Sequence, residues 1–124
     1  MDAKSLYDIV KDVDREAWPR GPSAPPNKYA ETWWDGKCFN YGDSYSVEEL
    51  SAPIAELLFV GSMVKWLAEE CGPSTFTPVK HDDGNYSIHE YHDGTGYEIS
   101  KHHSGPTLVE ALAAACKAVK EDHP

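Results

Sequence analysis

At 124 residues the chain has the length of one domain, and a fold of that size buries about two thirds of its unfolded surface, enough for a hydrophobic core. Acids outnumber bases 21 to 11, for a net charge of −10, a field that repels phosphate backbones and anionic lipid and so argues against direct nucleic-acid or membrane-surface binding. No apolar run approaches the roughly 18 residues of a membrane span, and Met1-Asp2-Ala3-Lys4-Ser5 lacks the layout of a secretory signal, which predicts a cytoplasmic protein.

Apolar residues at Leu6, Ile9, Val10, Val13 and Trp18 recur with helical spacing. With Asp2 as cap and Pro19 as stop, they predict a first helix over residues 3–17. Residues 19–27 hold four prolines in nine positions and read as an extended loop. The segment 29–45 is dense in aromatics, with Tyr29, Trp33, Trp34, Phe39, Tyr41 and Tyr45. Asp35-Gly36 at its centre predicts a hairpin. Such side chains either close over a core or form an exposed contact patch suited to stacking on a planar base or filling a partner's pocket.

Ser46 followed by Glu49 matches a capping box, but Pro53 cannot sit inside a helix. The expectation is a short turn at 46–51 and a main helix over 52–70 capped by Ser51. Ile54, Leu57, Leu58, Gly61, Val64, Leu67, Ala68 and Cys71 form its expected apolar stripe, with Phe59, Val60, Met63 and Trp66 as a second edge. A helix apolar on more than one face is central or lies at an interface, and a homo-oligomer is the expectation.

Residues 75–103 predict three antiparallel strands with turns at 82–85 and 93–96. The second turn pairs His92 with Tyr97, Tyr91 with Glu98, Glu90 with Ile99 and His89 with Ser100. That register puts Tyr86, Ile88, Tyr97 and Ile99 on a core face and Ser87, His89, Tyr91, Glu98, Ser100 and His102 on an open face. Thr107 and Glu110 form a second capping box, opening an alanine-rich helix over 108–121. The fold class is therefore α+β: an antiparallel sheet of three to five strands packed with two or three helices.

Candidate chemistry is sparse. Cys38, Cys71 and Cys116 are far apart and odd in number, which fits neither a disulfide framework nor a zinc knuckle. His89-Glu90-Tyr91-His92 is one residue short of the zinc-protease motif, and His89 and His92 point to opposite faces of a strand. His89 and His102 share a face and, with Glu98, form a possible metal set for a hydrolase. His102-His103-Ser104 supplies neither a base brought to a nucleophile nor a paired phosphoesterase motif. Gly94-Thr95-Gly96 is no nucleotide loop, and no cofactor is expected. The candidate binding residues are Trp33, Trp34, Tyr41 and Tyr45, joined by His89, Tyr91 and His102. Two further readings stay open, the metal-dependent hydrolase and an acidic mimic of nucleic acid.

Residues 45 to 119 resemble the phage ABA sandwich domain, a family of small phage and prophage proteins. The likeness rests on Tyr45-Ser46 before an apolar helix ending near Trp66-Leu67, on the Tyr86 and Tyr97 strands, and on Thr107-Leu108-Val109-Glu110-Ala111-Leu112 with Ala115 to Ala118. Residues 19 to 44 lie outside it. The resemblance implies an α/β sandwich of phage origin and no catalytic residues. Together with the aromatic segment it leads to the expectation of a non-enzymatic accessory protein, an antagonist of host defence that binds a host protein or sequesters a small nucleotide ligand.

Overall fold

The structure, a computed structural model, describes residues 1–20, 30–43, 45–71, 74–91 and 99–122, with the backbone alone for 99 and 100. Helix α1 spans Ala3–Val10, and the Asp2 carboxylate caps it by accepting from the Ser5 N–H at 2.8 Å. The predicted continuation to residue 17 is broken: a separate 3₁₀ turn forms at Arg15–Ala17. Asp14 is the reason, because its side chain accepts from the Glu16 N–H at 2.8 Å and so starts a new turn. Val13 and Trp18 still reach the core by this route.

Strands β1 (Glu31–Trp34) and β2 (Phe39–Gly42) form the hairpin expected around Asp35-Gly36. Gly36 adopts φ +99°, a conformation that costs glycine little. The Asp35 carboxylate accepts from the N–H groups of Lys37 and Cys38 and from the Asn40 amide, and these bonds hold it well below the usual carboxylate range. Residues 46–51 do not form the expected turn. Val47–Leu50 is strand β3, paired antiparallel with β2 so that Leu50 lies opposite Phe39. A ladder and a buried Leu50 outweigh a capping box that has no helix directly behind it. Gly42 makes the β2–β3 connection possible: its φ is +139°, and a Cβ there would sit 1.8 Å from the Ser46 carbonyl oxygen.

Helix α2 spans Ala52–Glu70 as predicted, with Pro53 tolerated in its first turn. Ser51 stands at the N-cap but makes no side-chain capping bond. The expected apolar stripe is split: Leu67 and Cys71 of it are buried, but its other members are not. Ala55, Phe59, Met63, Trp66 and Leu67 are buried, whereas Ile54, Leu57, Leu58, Val64, Gly61 and Ala68 lie exposed. The bulkier aromatic edge wins the interior because other rings are there to receive it.

Strands β4 (Thr75–Lys80), β5 (Tyr86–Tyr91) and β6 (Ile99–Gly105) make a second antiparallel sheet in the order β4-β5-β6. Pro78, which has no N–H, is accommodated because β4 is an edge strand. The expected register is corrected: Tyr91 pairs with Ile99, Glu90 with Lys101 and His89 with His102, through an irregularity between Glu90 and Tyr91. The expected 93–96 turn, with Tyr97 and Glu98, lies outside the described residues, as do the prolines at 22, 25 and 26. Helix α3 spans Leu108–Asp122, and Thr107 caps it as read: its Oγ1 accepts from the Glu110 N–H, while the Glu110 carboxylate accepts from the Thr107 hydroxyl at 2.8 Å rather than from a backbone N–H. The architecture is α+β, two three-stranded sheets packed with three helices.

One cluster of buried side chains joins these elements. Phe39, fully buried, is its hub, with ring centroids 4.9 Å from Trp34, 5.0 Å from Phe59, 5.8 Å from Trp18 and 6.2 Å from Tyr7. At the far side Lys120 of α3 donates to Asp14 at 2.6 Å, tying the last turn of α3 to the 3₁₀ turn.

Phe39→Ala should cost roughly 3–5 kcal/mol in denaturant melts, the usual loss for a truncated core ring. The hydrogen bond from Lys120, followed by that from the Glu16 N–H, lowers the Asp14 pKa. Asp14 therefore contributes stability that is fully present above the unfolded carboxylate value of about 3.9 and is lost as pH falls through its lower folded value. Melting temperature followed downward from pH 5 should drop less steeply in Asp14→Asn than in the parent.

Candidate functional site

The aromatic candidates separate by strand alternation. Thr32, Trp34, Phe39, Tyr41 and Leu50 share the core face of the first sheet, while Trp33 lies on the other face beside Asn40. Trp34 is committed to the fold: its ring stacks on Tyr7 of α1 at 4.7 Å with planes 6° apart. Tyr41 also packs against the core, and its hydroxyl donates to the Glu48 carboxylate, which raises its pKa. Trp33 is half-buried, and Tyr45 is 96% exposed. The four residues do not form one patch, since two of them point inward.

The histidine candidates come together more closely than expected. His89 and His102 are direct cross-strand neighbours on the face of the second sheet that α3 leaves open, with ring centroids 4.7 Å apart. They were expected as diagonal neighbours, and the irregularity at Glu90/Tyr91 brings them opposite. Tyr91 lies on the same face, 6.4 Å from His89. His81, one of the histidines of the sequence but given no role there, stands 6.4 Å from His89 on its other side, with Nε2 2.7 Å from Ser87 Oγ. Burial, then the neighbouring His102 and His81, pushes the His89 pKa down. Among the described residues no three His, Cys, Asp or Glu side chains converge on a common point.

His103 points the other way, into the core face opposite Ile88, where its Nε2 lies 3.5 Å from a Glu90 carboxylate oxygen. Both side chains are more than nine-tenths buried. This pairing of a strand histidine with a strand glutamate depends on the corrected register and had no signal in the local sequence.

Two concavities adjoin α2. One, of about 370 Å³, is lined by Glu16, Trp18, Arg20, Lys65, Trp66 and Glu69 among others, and its mixed charge makes it no anion funnel. The second, of about 420 Å³, lies between α2 and β4 and is apolar, with Val64, Ala68, Phe76 and Pro78 around a floor that includes Leu67 and Ile88. It continues the exposed apolar face of α2.

The three thiols are free and buried. Burial pushes Cys71 up to about 11 and Cys116 up to about 12, so neither is an activated nucleophile. A double-mutant cycle on Tyr7→Ala and Trp34→Ala should return a coupling of about 0.5–1.5 kcal/mol, the usual worth of a ring pair, whereas the cycle with Trp33→Ala should return none. No protein-family model matches the chain, and no curated protein or solved structure matches it either.

Proposed function

We propose that this chain is a non-enzymatic binding protein that acts as a homo-oligomer, with α2 as its self-association surface. The observation that carries the reading is the outward apolar face of that helix: Ile54 is 53% exposed, Leu57 72% and Val64 49%, with Leu58 beside them. Contiguous apolar surface of this kind marks an interaction site. Gly61 adds a second argument. A glycine inside a helix costs about 1 kcal/mol relative to alanine, and here nothing among the described residues lies within 4 Å of where its Cβ would be. Packing within the chain therefore gives no reason for it, while close approach of another helix does.

Gly61 is the middle residue of Ala52–Glu70. Two copies crossing antiparallel there would set residues equidistant from it face to face, Leu58 against Val64 and Ile54 against Ala68. Leu57 would meet the aliphatic stem of Lys65. The apolar hollow beside β4 extends the same surface.

A phage-type accessory role against a host protein follows from the resemblance of residues 45 to 119 and takes no further argument from the fold. Three buried free thiols suit a reducing compartment such as a cytoplasm. Of the two partner classes, a protein fits better than a nucleotide. Trp34 and Tyr41 are already engaged within the chain, and the polar cleft carries both signs of charge.

Light scattering across a concentration series should give a multiple of the 13.8 kDa chain mass. Because each copy carries a charge of −10, added salt should screen the repulsion and tighten the assembly. A nucleic-acid mimic holding a basic partner would instead loosen with salt. Leu57→Glu, at an exposed position, should yield a monomer with unchanged circular dichroism. A monomer at every concentration and salt level would overturn the self-association reading.

A further inference from the structure

We infer that His89 and His102 form a two-imidazole binding site for a divalent transition metal, with zinc, nickel and copper as the fitting class, on the open face of the second sheet. The pair is a direct cross-strand one, so the two Cβ atoms stand about 4.5–5.5 Å apart. The rings are 4.7 Å apart at their centroids and inclined by 66°. Two imidazole nitrogens, each about 2.0–2.1 Å from one ion, lie roughly 3.4 Å from each other at the tetrahedral angle. Rings on directly opposed strand positions reach that separation by side-chain torsion alone.

The second observation is an atom without a partner. His89 Nε2 is buried and makes no hydrogen bond among the described residues. A buried polar atom of this kind carries a desolvation cost that an incoming ligand removes. His102 is exposed and gives an ion its way in from solvent.

The third neighbour differs from the one the sequence suggested. His81, at the end of β4, flanks His89 on the side away from His102, whereas Glu98 lies outside the described residues. Among the described residues no three side chains converge as they stand, so water completes the shell around two protein ligands, and His81 joins when its ring leaves Ser87. Imidazole donors of this number select borderline transition ions over magnesium or calcium, which take oxygen ligands. The ion would clip β5 to β6 beside the irregularity at Glu90 and Tyr91.

Calorimetric titration of the full chain with zinc chloride, and separately nickel chloride, tests the site at neutral pH. One equivalent should bind, with a rise in melting temperature that a chelator reverses. His89→Ala and His102→Ala should each abolish both effects, and His123→Ala, in the tail, should leave them. His102 is exposed, so its removal leaves the fold intact, and circular dichroism checks this. Loss of zinc-induced shifts in the imidazole proton resonances of His102→Ala is the second readout. No uptake by the parent, or uptake that survives in His102→Ala, would overturn the assignment.

Discussion

The architecture depends on a ring contact. Phe39 stands on a four-residue strand in a small sheet that could not hold itself together, since short strands gain too little from their ladders alone. What fixes that sheet to the rest is the meeting of Phe39 with Tyr7 from α1, Trp18 after the 3₁₀ turn and Phe59 from α2, with Trp34 of the same sheet packed beside it. Three segments distant from Phe39 in sequence, around Tyr7, Trp18 and Phe59, become one body with its strand around a single benzyl group. Rings suit this task because each brings a large apolar area with few rotatable bonds, and tilted arrangements add an electrostatic gain between edge and face.

That arrangement also decides what is left outside. Once Phe59, Met63 and Trp66 turn toward the rings, the opposite side of α2, with Ile54, Leu57, Leu58 and Val64, is left exposed. An aliphatic stripe is thereby displaced to the surface by an aromatic one. The surface proposed for self-association is in this sense a by-product of how the interior was filled, and the two roles of the helix are set by the same choice.

How far the sequence could be read follows from where local signals compete with distant ones. Thr107 with Glu110 and Ser46 with Glu49 carry the same capping pattern, yet the first opens α3 and the second lies against β3. The alanine-rich run after Thr107 supports a helix by itself, whereas Val47–Leu50 has β2 as a partner and a core position for Leu50. Asp35-Gly36 was legible because the turn is fixed by its own residues. The faces of α2 were not, since nearly every position is apolar and periodicity cannot rank two greasy sides. The histidine pair was half legible: alternation put His89 and His102 on one face, but the register that sets them opposite depends on an irregularity no local pattern announces. His81 and the buried contact of His103 with Glu90 were hidden for the same reason.

Pro78 has a further effect on the second sheet. An edge strand normally offers a row of alternating donors and acceptors that a stray β-strand can copy, which is how native sheets seed fibrils. At Pro78 that row lacks a donor, and the pyrrolidine ring obstructs close approach. Pro78 thus blunts the β4 edge against strand addition, and favours assembly on that flank through side chains, where specificity is finer and length is limited.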